Sequence, residues 1–202
     1  LTAEERMLAE QSDIPAAADT TWHPTDEEWP EFRGSQRDGR ASFDGGAQDW
    51  DAAPPTELWR HSIGPGWSSF IYVSGRLFTQ EQRGNVEAVT CYDATTGELL
   101  WMHSDEQRFN DVVSGTGSRA TPTYAAGRIY AYGSKGILNC LDAASGDLVW
   151  QRDLMDEVNA TLPVWGFASS PLVVDGLVIV YADGDDDNGL VAYNSDNGQP
   201  AW

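Results

Sequence analysis

The stretch from Ser118 to Trp150 reads SRATPTYAAGRIYAYGSKGILNCLDAASGDLVW, and a similar pattern occurs three times in the chain. Each copy carries Asp or Asn, then Gly four residues later, then Trp after four more, at 93–101, 142–150 and 194–202. Successive tryptophans of this motif are therefore 49 and 52 residues apart. A repeat of that length with several short strands is typical of a propeller blade.

The turn residues of the repeat divide each copy into four short strands. Asp142 follows the apolar run 137–141 and can accept a backbone N–H two residues on, which turns the chain. Gly146 then supplies the positive φ that a tight hairpin with a bulge needs. Further turns at 125–127 and 133–136 complete one antiparallel blade. The recurring Trp gives each blade a large apolar side chain that can be buried against the neighbouring blade.

These residues resemble a known repeat. The pattern is similar to the pyrroloquinoline quinone (PQQ) repeat, the tryptophan-docked blade of quinoprotein dehydrogenases and of BamB-like outer-membrane assembly propellers. The segment 29–39, WPEFRGSQRDG, resembles the opening segment of bacterial PQQ-binding-like β-propeller repeat proteins. The resemblance implies an all-β fold, a parent propeller of seven or eight blades, and a periplasmic or extracellular location.

The chain divides into three parts on this basis. Residues 1–28 are predicted to be an acidic, largely disordered extension, and residues 29–55 an irregular lead-in segment. Residues 56–202 are predicted to form about three four-stranded antiparallel blades. Because three blades do not close a ring, we expect the remaining blades to belong to the same, longer protein. The predicted boundaries are a closing strand at 56–61 and blades at about 66–104, 116–153 and 165–202.

Composition restricts the partners. The chain has 12 Lys and Arg against 32 Asp and Glu, a formal charge of −20, which argues against a nucleic-acid partner. No apolar run reaches the roughly eighteen residues of a membrane span. Cys91 and Cys140 occupy one position of successive blades, too far apart for a disulfide, so they are interpreted as small buried apolar residues.

Three residues are candidates for cofactor binding. The connections 105–117 and 153–166 are long for simple linkers, and they lead to the start of each innermost strand, at the mouth of the predicted central channel. Trp67, Arg119 and Trp165 fall there. In quinoproteins that the repeat resembles, a flat cofactor is stacked on Trp and held by Arg. The alternative is that the tryptophans plug the channel and Arg119 pairs with an acid.

Metal ligands are only weakly indicated. Asp183, Asp185 and Asp187 alternate in a way that could ligate calcium, but the stretch lacks the Gly and Glu of an EF-hand loop, and a solvated turn is the default interpretation. His61 and His103 each lie two residues after a blade Trp. They therefore occupy one position of separate blades and do not converge on zinc.

Two functions follow from the sequence. The first is a binding or scaffold propeller of the bacterial cell envelope, whose partner is a small-molecule ligand or an envelope protein. The alternative is a PQQ-dependent alcohol or sugar dehydrogenase that uses PQQ with calcium at the channel mouth. The resemblance implies a vicinal cysteine pair in the active enzymes, and the two cysteines of this chain are not adjacent. No catalytic residue is assigned.

Overall fold

The computed structural model describes residues 28–41, 49–185 and 188–202 of the chain. The fold is all-β, 40% strand and 2% helical. Its main strands form three successive antiparallel sheets, each built from neighbouring strands joined by hairpins. The architecture confirms the prediction of a partial propeller. The predicted extension 1–28, apart from Glu28, lies outside the described residues.

The first blade has four strands in chain order, and a small two-stranded hairpin follows it. All of its strand pairs are antiparallel. The strands are β1 (Ile71–Val73), β2 (Arg76–Arg83), β3 (Val86–Asp93) and β4 (Leu99–Asp105), and the hairpin is β5 (Asn110–Asp111) and β6 (Gly115–Thr116).

The second blade repeats this order and ends in one turn of helix. The Asp153 side chain accepts a hydrogen bond from the backbone N–H of Met155 at 3.0 Å, which caps that helix. The elements are β7 (Thr123–Ala125), β8 (Arg128–Tyr132), β9 (Ile137–Asp142), β10 (Leu148–Asp153) and α1 (Leu154–Glu157).

The third blade has three strands, β11 (Leu172–Val174), β12 (Leu177–Tyr181) and β13 (Leu190–Asn194). Where the sequence predicts a fourth strand, the chain pairs with β13 without forming a regular strand. Tyr193 and Pro200 form an isolated bridge. Ala192 continues this pairing, because its carbonyl accepts the N–H of Ala201 at 2.8 Å and its N–H donates to the Trp202 carbonyl at 2.9 Å.

The turn before each blade Trp has the predicted mechanism. Its first residue accepts, with Oδ1, the backbone N–H two residues on, at 2.8 Å for Asp93, 2.9 Å for Asp142 and 3.0 Å for Asn194. The glycine four residues later has a positive φ in every copy, as at Gly146 with φ 78°. The pairing of β10 with β9 shifts register between Leu148 and Trp150, which is the expected bulge.

The blade tryptophans dock on the next blade. Trp101 is 4% exposed, and its Nε1 donates to the carbonyl oxygen of Ala143 at 3.1 Å. Its ring lies so close to Gly146 that an added Cβ there would meet Trp101 at 2.6 Å. Trp150 makes the corresponding bond to Ser195 of the third blade at 2.9 Å. The repeated Gly thus provides the space that the repeated Trp occupies.

The core lies between blades rather than within them. Each of two buried clusters draws side chains from a pair of neighbouring blades, because each sheet turns one apolar face to the next sheet. The first cluster includes Ile71, Phe78, Val89, Cys91, Trp101, Tyr124, Ile129 and Leu141. The second includes Tyr130, Tyr132, Leu138, Cys140, Trp150, Val178, Val191 and Tyr193.

Both cysteines behave as the sequence predicts. Cys91 and Cys140 are fully buried free thiols, and they belong to different interblade clusters. Burial raises the pKa of each thiol to about 12. They are therefore packing residues with little thiolate character.

Residues Thr56–His61, predicted as a closing strand, form no strand. A strand needs a hydrogen-bonded neighbour, and no residue in the described ranges pairs with this segment. Trp59 nevertheless has the contacts of a blade Trp, because its Nε1 donates to the Ala94 carbonyl at 3.0 Å and its ring covers Gly97. Within the described residues the segment therefore has no strand partner, and Trp59 occupies the same position as the other blade tryptophans. Ring closure stays a prediction.

The first strands of the blades form an inner wall, because β7 contacts both β1 and β11. Residues 29–41 of the lead-in segment run along these first strands. Trp29 exchanges two backbone hydrogen bonds with Tyr72 of β1, each 2.9 Å. The Pro30 carbonyl accepts from the N–H of Tyr124 in β7 at 2.8 Å. The lead-in segment therefore joins two blades on their channel side.

Candidate functional site

The connection between the first and second blades is an ordered hairpin, which the sequence did not predict. Asp111 closes its tip, because Oδ1 accepts the N–H groups of Val113 at 2.8 Å and Ser114 at 2.7 Å. The Ser114 hydroxyl also donates to Asp111 Oδ2. An aspartate followed three residues later by serine is a common turn pattern, and this was the signal available in the sequence.

The Arg119 side chain holds this hairpin in place through an ion pair and hydrogen bonds. Its side chain is 6% exposed and pairs with Asp111, with Nη2 and Oδ2 2.7 Å apart. Nη1 donates to the Gly117 carbonyl at 2.7 Å, and Nε donates to the Trp165 carbonyl at 3.1 Å. The guanidinium also lies 4.9 Å from the centre of the Phe109 ring. All three nitrogens of Arg119 therefore serve the local structure.

The charge of Asp111 is fixed by the same contacts. Hydrogen bonds from the Ser114 side chain and backbone hold the pKa of Asp111 well below its usual range, and Arg119 adds to this effect. Asp111 is therefore ionised at every physiological pH. The hairpin keeps its ion pair across that range.

The connection before the first blade lies directly against the hairpin. Gly66 and Ser118 form a parallel bridge, and the N–H of Trp67 donates to the Ser118 carbonyl at 2.8 Å. Gly117 allows this approach, since a Cβ there would lie 2.1 Å from the carbonyl oxygen of Pro65. Two consecutive interblade connections are thereby held side by side.

The result is a rigid edge with exposed apolar side chains. The indole Nε1 of Trp67 donates to the Ser114 carbonyl at 2.9 Å, which fixes the ring, yet Trp67 remains 65% exposed. Four other apolar residues of the interblade connections are more than half exposed, from 51% for Trp165 to 101% for Val112. We call this set the rim surface: Trp67, Val112, Val113, Val164 and Trp165.

The structure brings the three predicted site residues together, but in different roles. Trp67 and Trp165 belong to the rim surface, and Arg119 lies beneath it. Arg119 pairs with Asp111, which was the alternative to ligand binding in the sequence analysis. Sequence reasoning missed Asp111, Val112 and the hairpin that carries them.

The same contacts test whether PQQ fits. Arg119 is nearly buried, and its nitrogens already donate to protein acceptors. Binding an anionic cofactor would therefore break the ion pair and hydrogen bonds that hold the hairpin. Among the described residues, no three or more His, Cys, Asp or Glu side chains are grouped to hold a metal ion. The described residues by themselves do not form a site for PQQ together with a metal ion. A cofactor role for Trp67, Arg119 and Trp165 stays a prediction.

The weak calcium candidate is only partly described, because Asp187 lies outside the described ranges. The Asp185 carboxylate accepts a hydrogen bond from the Asn159 side chain. The Asp183 carbonyl accepts the N–H of Thr161 at 3.1 Å. Asp183 and Asp185 therefore tie this turn to the preceding connection.

A cavity lies on the side of the first blade that faces away from the second blade. Tyr92 there donates to Glu81 at 2.6 Å and accepts from Arg83 at 2.8 Å, and all three side chains are buried. Burial raises the pKa of Tyr92 above its ordinary value. The cavity has a volume of about 330 Å³ and is lined by Trp59, His61, Ile63, Phe70, Leu77 and Tyr92.

Comparison with known families agrees with this geometry. Residues 44–136 and 86–202 match the family described as outer membrane protein assembly factor BamB, so the matches cover most of the chain. No curated protein sequence matches the chain. None of the helices in the described ranges is long and apolar enough to cross a bilayer.

Solved structures share the fold. The quinohemoprotein alcohol dehydrogenase of Comamonas testosteroni is 17% identical, with a TM-score of 0.64, over 98% of this chain and 30% of that one. A europium-containing methanol dehydrogenase is 17% identical, with a TM-score of 0.51, over 70% of this chain and 25% of that one. The chain thus spans less than a third of either dehydrogenase. At these identities the likeness shows the fold alone.

Proposed function

The chain belongs to the family of the outer membrane protein assembly factor BamB, and on that premise we propose that it is a non-catalytic binding or scaffold propeller of the bacterial cell envelope. It acts in the periplasm or outside the cell. Its partner is an envelope protein that docks on the rim surface.

One observation supports this proposal most directly: the nearly buried ion pair between Arg119 and Asp111 holds a hairpin whose apolar side chains are exposed. Arg119 and Asp111 fix the hairpin, and the hairpin displays Val112 and Val113 at its tip. Exposed apolar residues that cluster on a rigid support mark interaction surfaces. A pre-ordered surface loses little conformational entropy when a partner binds.

The residue types of the rim surface support a protein partner. Tryptophan is enriched among the residues that dominate binding energy in protein interfaces, and the rim surface contains two tryptophans, Trp67 and Trp165. The formal charge of −20 disfavours an acidic partner. We therefore assign to the partner an apolar centre surrounded by neutral or basic groups.

Site-specific photo-cross-linking in cells tests the proposal. A photoreactive residue at Val113 of the full-length protein should yield one discrete adduct with an envelope protein, and Trp67→Ala should abolish it. The matched control is the same residue at Leu148, which is exposed on β10 and lies outside the rim surface. Equal adducts at both positions, or none at Val113, would contradict a specific docking surface.

The dehydrogenase alternative gives a different result. Full-length protein is titrated with calcium and PQQ and followed by absorbance and by dye-linked alcohol oxidation. The proposed function predicts no saturable change in absorbance and no oxidation. Saturable PQQ binding with turnover, both reduced in Trp67→Ala, would favour the enzyme instead.

A further inference from the structure

The part of the lead-in segment around Phe32 and Arg33 is held rigidly although it contains no regular element. The Trp29 ring packs on the backbone of Gly34, where an added Cβ would meet it at 2.9 Å. Arg37 forms an ion pair with Glu31 and donates from Nη2 to the Pro171 carbonyl at 2.9 Å. The loop is thus anchored on both sides and tied to the third blade.

Phe32 and Arg33 lie between these anchors and are exposed. The neighbouring residues Trp29 and Pro30 use their backbone to bind the inner wall of the blades. Phe32 and Arg33 follow these residues directly in the sequence, so the loop that carries them lies beside the first strands of the blades. The loop places an aromatic ring and a guanidinium there.

Arg33 has unused hydrogen-bonding capacity. Its only side-chain hydrogen bond to a described residue runs from Nη2 to the Asp38 carbonyl at 3.1 Å, and it pairs with no described carboxylate. Arg119, by contrast, donates from all three nitrogens and pairs with Asp111. A guanidinium offers five N–H donors in a fork that matches carboxylate and phosphate.

Arginines are concentrated in this stretch of an acidic chain. Arg33, Arg37 and Arg40 fall within eight residues of a sequence with 12 Lys and Arg against 32 Asp and Glu. Arg37 is paired with Glu31, and Nε of Arg40 lies 3.9 Å from the Asp38 carboxylate, so nearby acids balance these two charges. Arg33 has no described carboxylate partner and is the arginine of this stretch that can attract an anion.

The backbone of the same loop supplies further donors. Arg33 and Gly34 have φ of 67° and 80°, in the left-handed region. In the described structure, the next two N–H groups, of Ser35 and Gln36, make no backbone hydrogen bond. These residues lie in a turn closed by the N–H of Arg37 on the Gly34 carbonyl, and successive backbone N–H groups in a turn conformation can form a concave anion-binding site.

We infer that residues 32–36 form an oxoanion site on the channel side of the blades, independent of the rim surface. The Arg33 guanidinium binds two oxygens of a carboxylate or phosphate group, and the N–H groups of Ser35 and Gln36 bind the anion from the backbone. Phe32 packs against the body of an organic acid. The ligand class is a small organic acid or a free phosphate.

Calorimetric titration of the 202-residue chain with citrate and with inorganic phosphate tests the site. At least one anion should bind saturably. Arg33→Gln should weaken its binding about tenfold or more, the usual effect of losing a hydrogen bond to a charged group. The matched control Arg60→Gln removes an exposed arginine that pairs with Glu57, outside residues 32–36, and should leave binding unchanged.

Further variants separate the sources of the anion and the role of the guanidinium fork. If the ligand is an organic acid, Phe32→Ala weakens citrate binding and leaves phosphate binding unchanged; phosphate binding alone assigns a free phosphate. Arg33→Lys keeps the charge but loses the fork and should bind less tightly than the native chain. Absence of binding by both anions, or native affinity in either Arg33 variant with unchanged thermal stability, would overturn the inference.

Discussion

The indole Nε1 of Trp101 donates a hydrogen bond to the carbonyl oxygen of Ala143, 3.1 Å away, across the boundary between the first and second blades. Trp59 and Trp150 make the same kind of bond at 3.0 and 2.9 Å. One interface is therefore built three times from the same residue types. The spacing of the repeat in the sequence reflects the spacing of this contact.

Trp101→Ala should destabilise the chain by about 3–5 kcal/mol, the usual loss for a buried aromatic side chain. The reason is that Trp101 fills the space above Gly146 and anchors the first interblade cluster. The control Trp202→Ala removes a side chain that is 60% exposed and should change stability by about 0.5 kcal/mol or less. Urea unfolding measures both, and a loss below about 1 kcal/mol for Trp101→Ala would contradict this packing.

Gly146→Ala should be more harmful than Gly127→Ala. Both glycines have a positive φ near 80°, so both variants carry about 1–2 kcal/mol of backbone strain. Only at Gly146 would the new Cβ meet a neighbour, Trp101 at 2.6 Å, and overpacking adds about 1–3 kcal/mol. Equal unfolding free energies for the two variants would show that the Trp–Gly contact is not tight.

Glu87 should make stability depend on pH. Burial raises the pKa of this carboxyl from its ordinary 4.5, although Ser134 donates to it from both its backbone N–H and its hydroxyl. The folded chain then binds a proton that the unfolded chain has lost. Stability should therefore fall as pH rises from about 4.5 toward the folded pKa.

Unfolding titrations between pH 4 and pH 8 measure this effect. Glu87→Gln cannot ionise and should flatten the decline. Glu98→Gln, at an exposed position of the β3–β4 hairpin, should leave the decline as it is in the native chain. The same pH dependence in Glu87→Gln as in the native chain would contradict a raised pKa of Glu87 in the folded state.

The elements that the sequence predicted well depend on local chemistry. Asp142 and Gly146 specify their turn within five residues, and Trp150 follows at a fixed distance, so the hairpin can be read without knowledge of the rest of the fold. The repetition of this unit then gives the blade and its neighbours. Burial of Cys91 and Cys140 follows from the same alignment.

The elements that it missed depend on distant partners. Whether Arg119 binds a ligand or supports a hairpin is decided by Asp111 and by the Trp165 carbonyl, and neither pairing can be read from residue spacing. Thr56–His61 has the composition of a strand, but a strand forms only beside a neighbour. Local sequence therefore predicted the position of Trp59, whereas strand formation around it depends on a partner that local sequence does not specify.

The central claim is that consecutive blades dock through one repeated Trp contact. Hydrogen exchange of the indole N–H groups, followed by NMR, tests it directly. The N–H groups of Trp101 and Trp150 are hydrogen-bonded and buried and should exchange slowly, whereas Trp202 is 60% exposed and should exchange fast. Similar fast exchange for all three indoles would contradict the docking contact and the blade arrangement built on it.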